Sequence, residues 1–240
     1  MAYIRCDFKS LVLDMRTSLI VFLPDEKKVS DAPVVYLLHG LSDNATAWSR
    51  WSNVERYAIE HGVTVVMPEV QRSFYTDMSL GLNYFKFVSV ELREICHHFF
   101  NTPTSANKSY VMGLSMGGYG ALKCALTYPK KFAGCAAFSP ACDIESLMID
   151  NVKMNKKEMK AIFGEKLQSK DSIFSLVKKV KNAPFIYLAC GEEDFIFSHS
   201  EKLNVALEEK DLDYKYEHWS GIHDWAFWDE AVKRAFNLYF

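Results

Sequence analysis

A serine set between glycines on a sharp turn is one of the few short patterns that bring a reaction with them, and this chain carries Gly113-Leu114-Ser115-Met116-Gly117-Gly118. A bare Gly-x-Ser-x-Gly run arises by chance in many chains, so its surroundings decide its weight. Here the apolar Tyr110-Val111-Met112 precedes it and a helix-like stretch from Tyr119 follows. Strand, tight turn and helix are the context in which a serine hydroxyl is lifted clear of the backbone, with glycines leaving room for the neighbouring elements. The competing reading is a structural turn that happens to hold a serine. A serine hydroxyl attacks a carbonyl only when an adjacent base takes its proton. The pattern therefore demands a histidine, an acid to orient it, and two N–H donors for the oxyanion.

Those groups are scattered along the chain, and only a fold can gather them. At 240 residues, one sizeable core in a single domain spanning 1–240 is expected. With 49% apolar and 24% charged residues the composition is that of an ordinary globular protein, so disorder is excluded. A net charge of −2 provides no field to gather nucleic acid or an anionic membrane, and the basic cluster Lys153, Lys156, Lys157, Lys160 reads as a solvated helix face. The first residues lack the apolar core of a signal peptide and no apolar run reaches membrane-spanning length, which predicts a cytoplasmic protein. The six cysteines form no metal-like spacing and read as reduced, mostly buried side chains. Neither a metal nor an organic cofactor is expected, and a homo-oligomer stays open.

Hydrophobic patterning predicts a mostly parallel sheet. Leu11-Val12-Leu13 and the run 18–23, with polar residues between, suggest an antiparallel hairpin at a sheet edge. Continuous apolar runs follow at 34–38, 63–67, 110–112, 135–138 and 185–190, as strands covered on both faces require. Helical periodicity alternates with them at 89–100, 119–128 and 225–240, so helices should cover both faces. The stretch 141–182 breaks the rhythm: it is lysine-rich, helical around Met154 to Phe163, and without a strand. It reads as a lid-like insertion over the carboxyl ends of the strands, where open α/β sheets bind ligands.

In such a fold the triad runs serine, acid, histidine, which removes His39, His61, His97 and His98. His218 alternates within Tyr214–Trp219 and reads as an edge-strand side chain, and His199 reads as a polar surface or capping residue near a helix start. His223 follows Ser220-Gly221-Ile222 in the loop before the last helix and is the expected base. The acid should follow a strand, and Glu192, Glu193 and Asp194 all come directly after 185–190. Asp194 is taken first and Glu193 held in reserve. The backbone N–H groups of Met116 and Leu41 are the expected oxyanion donors, with Gly40 shaping the turn and His39 holding that loop in place.

Several segments together resemble the esterase D family of α/β-hydrolases, and the tributyrin esterase branch in particular. They are His39-Gly40-Leu41, Asn53-Val54-Glu55-Arg56, Tyr75-Thr76-Asp77, the 113–120 segment, Cys190 to Phe195, and Gly221-Ile222-His223-Asp224-Trp225 with Trp228. The resemblance spans nearly the whole chain and implies Ser115, Asp194 and His223 as triad, Leu41 and Met116 as oxyanion donors. It also selects Asp194 over Glu193, which spacing alone does not. Relatives in the wider family act on short acyl esters, acetylated or feruloylated polysaccharides, and S-formylglutathione.

The expected activity is a serine carboxylesterase that hydrolyses a small-molecule or carbohydrate ester through an acyl-enzyme, losing activity as acid protonates the histidine. An S-formylglutathione-type thioesterase or an acyltransferase would use the same residues. A binding module without chemistry is the reading from another class, disfavoured because serine and histidine are both present. Trp48, Tyr75 and Trp225 stand near the site loops and are the candidate substrate-pocket aromatics, with Trp51 beside them and core packing as the alternative for each. Phe163 and Phe174 of the insertion are expected to close the pocket.

Overall fold

The computed structural model describes residues 1–150 and 155–240. Its frame is one eight-stranded sheet in the order β1-β2-β4-β3-β5-β6-β7-β8. The central strands β3 (Val34–Leu38), β4 (Thr64–Pro68), β5 (Ser109–Leu114), β6 (Gly134–Phe138) and β7 (Phe185–Gly191) are parallel, as is the edge strand β8 (Tyr214–Trp219). Every residue of β3, β4 and β6 is buried, which is why these runs carry no polar alternation. Side chains still alternate between two cores: Val34, Tyr36 and Leu38 face one, Val35 and Leu37 the other.

Helices cover both faces. On one lie α3 (Tyr84–Lys86), running through a π-helical turn at Phe87–Glu91 into α4 (Leu92–Phe100), then α5 (Met116–Thr127), α8 (Ile173–Lys179) and α9 (Phe197–Glu209). The other face is covered by α1 (Ala47–Trp51), α2 (Val54–His61) and α10 (Trp225–Tyr239). The chain thus has the mostly parallel sheet covered by helices on both faces that its patterning predicts, the α/β-hydrolase fold that the resemblance implies. Among the described residues, no helix is long and apolar enough to cross a membrane.

The N-terminal hairpin is present, with the expected 18–23 inside its second strand, but its first strand differs from the expected one. β1 (Ala2–Ser10) and β2 (Met15–Leu23) pair antiparallel, and Leu11-Val12-Leu13 forms the turn between them. The reason is Glu91, buried at the end of the π turn. It accepts hydrogen bonds from the Leu11 N–H at 2.6 Å and the Val12 N–H at 3.2 Å, and from the Ser10 hydroxyl. Leu13 plugs the core beneath, so the apolar triplet is a pegged turn. Nothing in the local sequence marks a carboxylate some 80 residues away as its partner.

The insertion holds α6 (Ile144–Asp150) and α7 (Lys156–Phe163) before α8, and among its described residues no strand. Met154 and Lys153, included in the expected helix and basic cluster, lie outside the described residues; Lys156, Lys157 and Lys160 are exposed. Polar bonds tie the insertion to the body. Lys123, 2% exposed, reaches Asp171 at 2.6 Å and the Thr76 hydroxyl at 2.9 Å, while the Tyr119 hydroxyl donates to the Asp171 carbonyl at 2.7 Å. The Ser79 and Leu80 N–H groups donate to the last turn of α7. Removing one partner of such a buried ion pair leaves the other uncompensated.

Candidate active site

Ser115 sits between β5 and α5 with φ +50° and ψ −115°, a conformation that side chains other than glycine rarely adopt. The surrounding glycines explain how the turn is tolerated. A Cβ at Gly113 would lie 2.4 Å from the Gly117 carbonyl oxygen, and one at Gly117 would lie 2.3 Å from the Leu38 carbonyl oxygen. Strand β3, strand β5 and helix α5 therefore pack closer than any side chain permits. The turn is held by the Ser115 N–H donating to Phe138 at 2.8 Å and by the Ala141 N–H donating to the Ser115 carbonyl at 3.1 Å.

Three segments distant in sequence converge on this serine. The Ser115 hydroxyl lies 3.0 Å from Nε2 of His223, whose Nδ1 lies 2.8 and 3.0 Å from the two carboxylate oxygens of Asp194. The Asp194 side chain is fully buried and that of His223 is 9% exposed. Phe195 and Trp228 flank the imidazole, with ring centroids 4.6 and 4.9 Å away. Burial drives the Asp194 carboxyl upward, but the His223 hydrogen bond and charge and the Ile196 N–H outweigh it, leaving it below its ordinary value. It remains an acceptor for Nδ1–H, which leaves Nε2 free to accept the serine proton.

The acids after β7 have three different partners. Asp194 turns inward to His223. Glu193, held in reserve by the sequence reading, accepts from the Gly221 N–H at 2.5 Å and the Ser220 hydroxyl at 3.2 Å, so it braces the loop that carries the histidine. Glu192 pairs with His218 at 2.7 Å, both on the surface. That loop passes so close to β7 that a Cβ at Gly191 would lie 2.2 Å from the Gly221 carbonyl oxygen. His199 is buried, correcting the surface or capping role expected of it: it follows the first turn of α9 inward, and its Nδ1 accepts from the Asp143 N–H at 3.4 Å.

Opposite the serine, Leu41 belongs to a turn closed by the Asp43 N–H on the Gly40 carbonyl at 3.3 Å. Met116 buries its side chain in the core and opens α5, where an N–H has no partner within its own helix. Among the described residues neither of these two N–H groups donates to a protein acceptor. His39 anchors the turn from behind. Its Nε2 accepts from the Val70 N–H at 3.2 Å, so Nδ1 carries the proton and donates to the Gly40 carbonyl at 2.7 Å. Burial lowers its pKa against the pull of Glu69, keeping it neutral.

A pocket of about 240 Å³ opens over Ser115, just below the roughly 300–1,000 Å³ usual for ligand sites. Of the three aromatics expected to line it, Trp225 does. Trp48 and Tyr75 do not: both are fully buried, Trp48 donating to the Leu38 carbonyl at 3.0 Å and Tyr75 to that of His39 at 2.9 Å. They support the wall from behind, Trp48 lying edge-on to Trp225 at 5.1 Å. Trp51 is exposed. Phe163 and Phe174 do not close the pocket either. Phe163 lies edge-on behind Phe74 at 5.7 Å and Phe174 packs against the core.

The residues that do form the wall include Phe74, Leu147, Phe195, Ile196 and Trp228, none of which the sequence reading assigned to it. Phe74 and Tyr75 occupy consecutive left-handed conformations, φ +50° and +48°, which send one ring to the pocket and the next beneath it. Neither is a glycine or asparagine, so the turn leaves no local signature. Leu147 comes from α6, so the insertion reaches the pocket through its first helix.

Comparison with known proteins places these features in a lineage. The Esterase family model matches residues 10–238. An acetyl esterase of Caldicellulosiruptor saccharolyticus is 32% identical, the match covering 99% of this chain and 97% of that protein. An S-formylglutathione hydrolase of Bos taurus is 28% identical over 81% of this chain and 76% of that one. Among solved structures, the Staphylococcus aureus fluorophosphonate-binding serine hydrolase FphF superposes with a TM-score of 0.92 at 31% identity, covering 99% of this chain and 98% of that chain.

Proposed function

Because the chain belongs to the Esterase family, we propose that Ser115, His223 and Asp194 are the triad through which it hydrolyses short-chain acyl esters, with the N–H groups of Leu41 and Met116 as oxyanion donors. It is a serine carboxylic ester hydrolase, in keeping with its acetyl esterase and serine hydrolase relatives. The observation that carries the residue assignment is the relay of hydrogen bonds from Asp194 through His223 to the strained Ser115.

His223 takes the Ser115 proton as Oγ attacks the ester carbonyl, and the Leu41 and Met116 N–H groups hold the resulting oxyanion. The imidazolium, steadied by Asp194, returns the proton to the departing alcohol. Water then attacks the acyl-serine with His223 again as base, regenerating the enzyme. The small pocket and its apolar lining favour acetyl and other short acyl groups, on a small molecule or a carbohydrate. The stretch 141–182 contributes Ala141 and Leu147 to the wall, within one hydrolase domain over 1–240. Six free cysteines, five of them buried, accord with a reducing cytoplasmic setting.

Labelling with a fluorophosphonate probe and mapping the adduct tests the assignment. Ser115 should carry the label, and Ser115→Ala should lose both label and hydrolysis of p-nitrophenyl acetate, by roughly 10,000-fold or more. Undiminished hydrolysis by that variant would overturn it. The likeness to S-formylglutathione hydrolase supports a second reading, a thioesterase using the same groups. Paired thioester and oxygen-ester substrates separate the two.

A further inference from the structure

We propose that Asp43 makes the pocket charge-selective, so that it accepts neutral and cationic esters and discriminates against anionic ones. The inference rests on the serine esterase reading of the same site and narrows its substrate class.

Asp43 ends the turn that presents Leu41 and lines the same pocket as Ser115 and His223. Its carboxylate is packed against the bare face of Gly40: a Cβ there would lie 2.9 Å from Oδ2 and 2.6 Å from the Leu114 side chain. The acid is thus part of the wall, half-buried against the turn. The rest of that wall is neutral, chiefly Phe74, Leu147 and Trp225, and among its described residues includes no lysine or arginine. Behind the turn stands His39, kept neutral by burial, and beyond it another carboxylate, Glu69, 3.7 Å from the imidazole. Burial pushes the Asp43 carboxyl above its ordinary value, with the Gly40 N–H pulling it back.

A carboxylate in this position does nothing for the chemistry itself, since it opposes the negative charge developing on the oxyanion. Its effect falls on binding. In a half-buried pocket a fixed charge is screened far less than on the surface, so a substrate charge a few ångströms away should feel it on the order of tenfold in rate constant. Hydroxyl-rich leaving groups gain as well, because they can donate to the carboxylate. Acylated sugars and glycerol esters fit this wall, whereas the net-anionic glutathione thioesters do not.

The test uses pairs that share the reacting acetyl group and differ in charge, the first pair isosteric as well, at mildly alkaline pH, where the carboxyl is ionised. Acetylcholine is set against its uncharged carbon analogue 3,3-dimethylbutyl acetate, and S-acetylglutathione against the neutral thioester S-acetyl-N-acetylcysteamine, with kcat/KM measured for each in wild type and Asp43→Asn. Wild type should favour the cation over its analogue, and the neutral thioester over the anionic one, by about tenfold each. Both ratios should move toward one in Asp43→Asn, which keeps the shape and loses the charge, and should shrink with added salt in wild type. Each ratio is internal to one protein, so a general loss of activity in the variant leaves it readable. Equal rates within each pair in wild type, or ratios that survive Asp43→Asn, overturn the inference while leaving the esterase reading intact. Failure of wild type to cleave any of the four overturns the esterase reading, and this inference with it.

Discussion

The two sides of the pocket are built on different principles. On one, Ser115, Asp194 and His223 each follow the carboxyl end of a strand, and each occupies a loop with almost no room to move. Three glycines there admit backbone where a Cβ would come within 2.4 Å of a carbonyl oxygen. On the other, the wall from Leu41 to Leu147 is assembled from side chains of turns and the insertion, braced by buried rings behind it. The first side is held by main-chain contacts that few substitutions can satisfy, the second by packing that many can. Chemistry is therefore expected to be stubborn and specificity adjustable.

Asp194→Asn should give the largest difference between the two sides. Losing the carboxylate frees the wrong imidazole tautomer, and turnover should fall by about 10,000-fold. Glu193→Gln and Glu192→Gln should cost only a few-fold, since they brace a loop and a surface histidine. Comparable losses in all three would erase the distinction between the acids. The same variant carries a pH signature. The folded-state pKa of Asp194 is depressed, so its ionisation contributes stability above the ordinary carboxylate pKa, and that contribution is lost as pH falls through the folded value. The melting-temperature gap between wild type and Asp194→Asn should therefore narrow in acid. A gap that widens below the carboxylate range would contradict the sign.

Next in size is a contrast within the tryptophans. Trp48→Ala empties a fully buried site and leaves the Leu38 carbonyl without its donor, so a loss of roughly 3–5 kcal/mol in denaturant unfolding is expected. Trp225→Ala, at the partly exposed pocket rim, should cost much less stability and instead alter KM. Equal destabilisation by the two would mean that the wall and its backing are one structural unit.

The smallest effect is the most diagnostic of an adjustable wall. Leu147→Ala enlarges the pocket without touching the triad, and should shift kcat/KM toward longer acyl chains by about tenfold between acetate and hexanoate esters. An unchanged chain-length profile would exclude α6 from acyl recognition.

Much of the first side was legible without coordinates. Gly113 and Gly117 around Ser115, acids directly after an apolar run, and a histidine in the loop before the last helix are local patterns, each tied to a strand end by main-chain geometry. The continuous apolar runs were equally plain because parallel strands are covered on both faces. The second side was not legible. Trp48 and Trp225 look alike as neighbours of site loops, and only the direction of each side chain makes one a core anchor and the other a pocket wall. Phe74 was missed beside Tyr75 because no residue type announces two consecutive left-handed conformations.

The residues of the chain alone determined the order of strands and helices, the turn at Ser115, and the short set of acids and histidines able to serve it, since strand periodicity and glycine's steric freedom are local properties. Tertiary structure alone decided how Glu193 and Glu192 are used beside Asp194, which aromatics line the pocket, and that 11–13 turns instead of pairing. Those outcomes depend on partners such as Gly221, Leu38 and Glu91, which become neighbours only when the sheet is assembled.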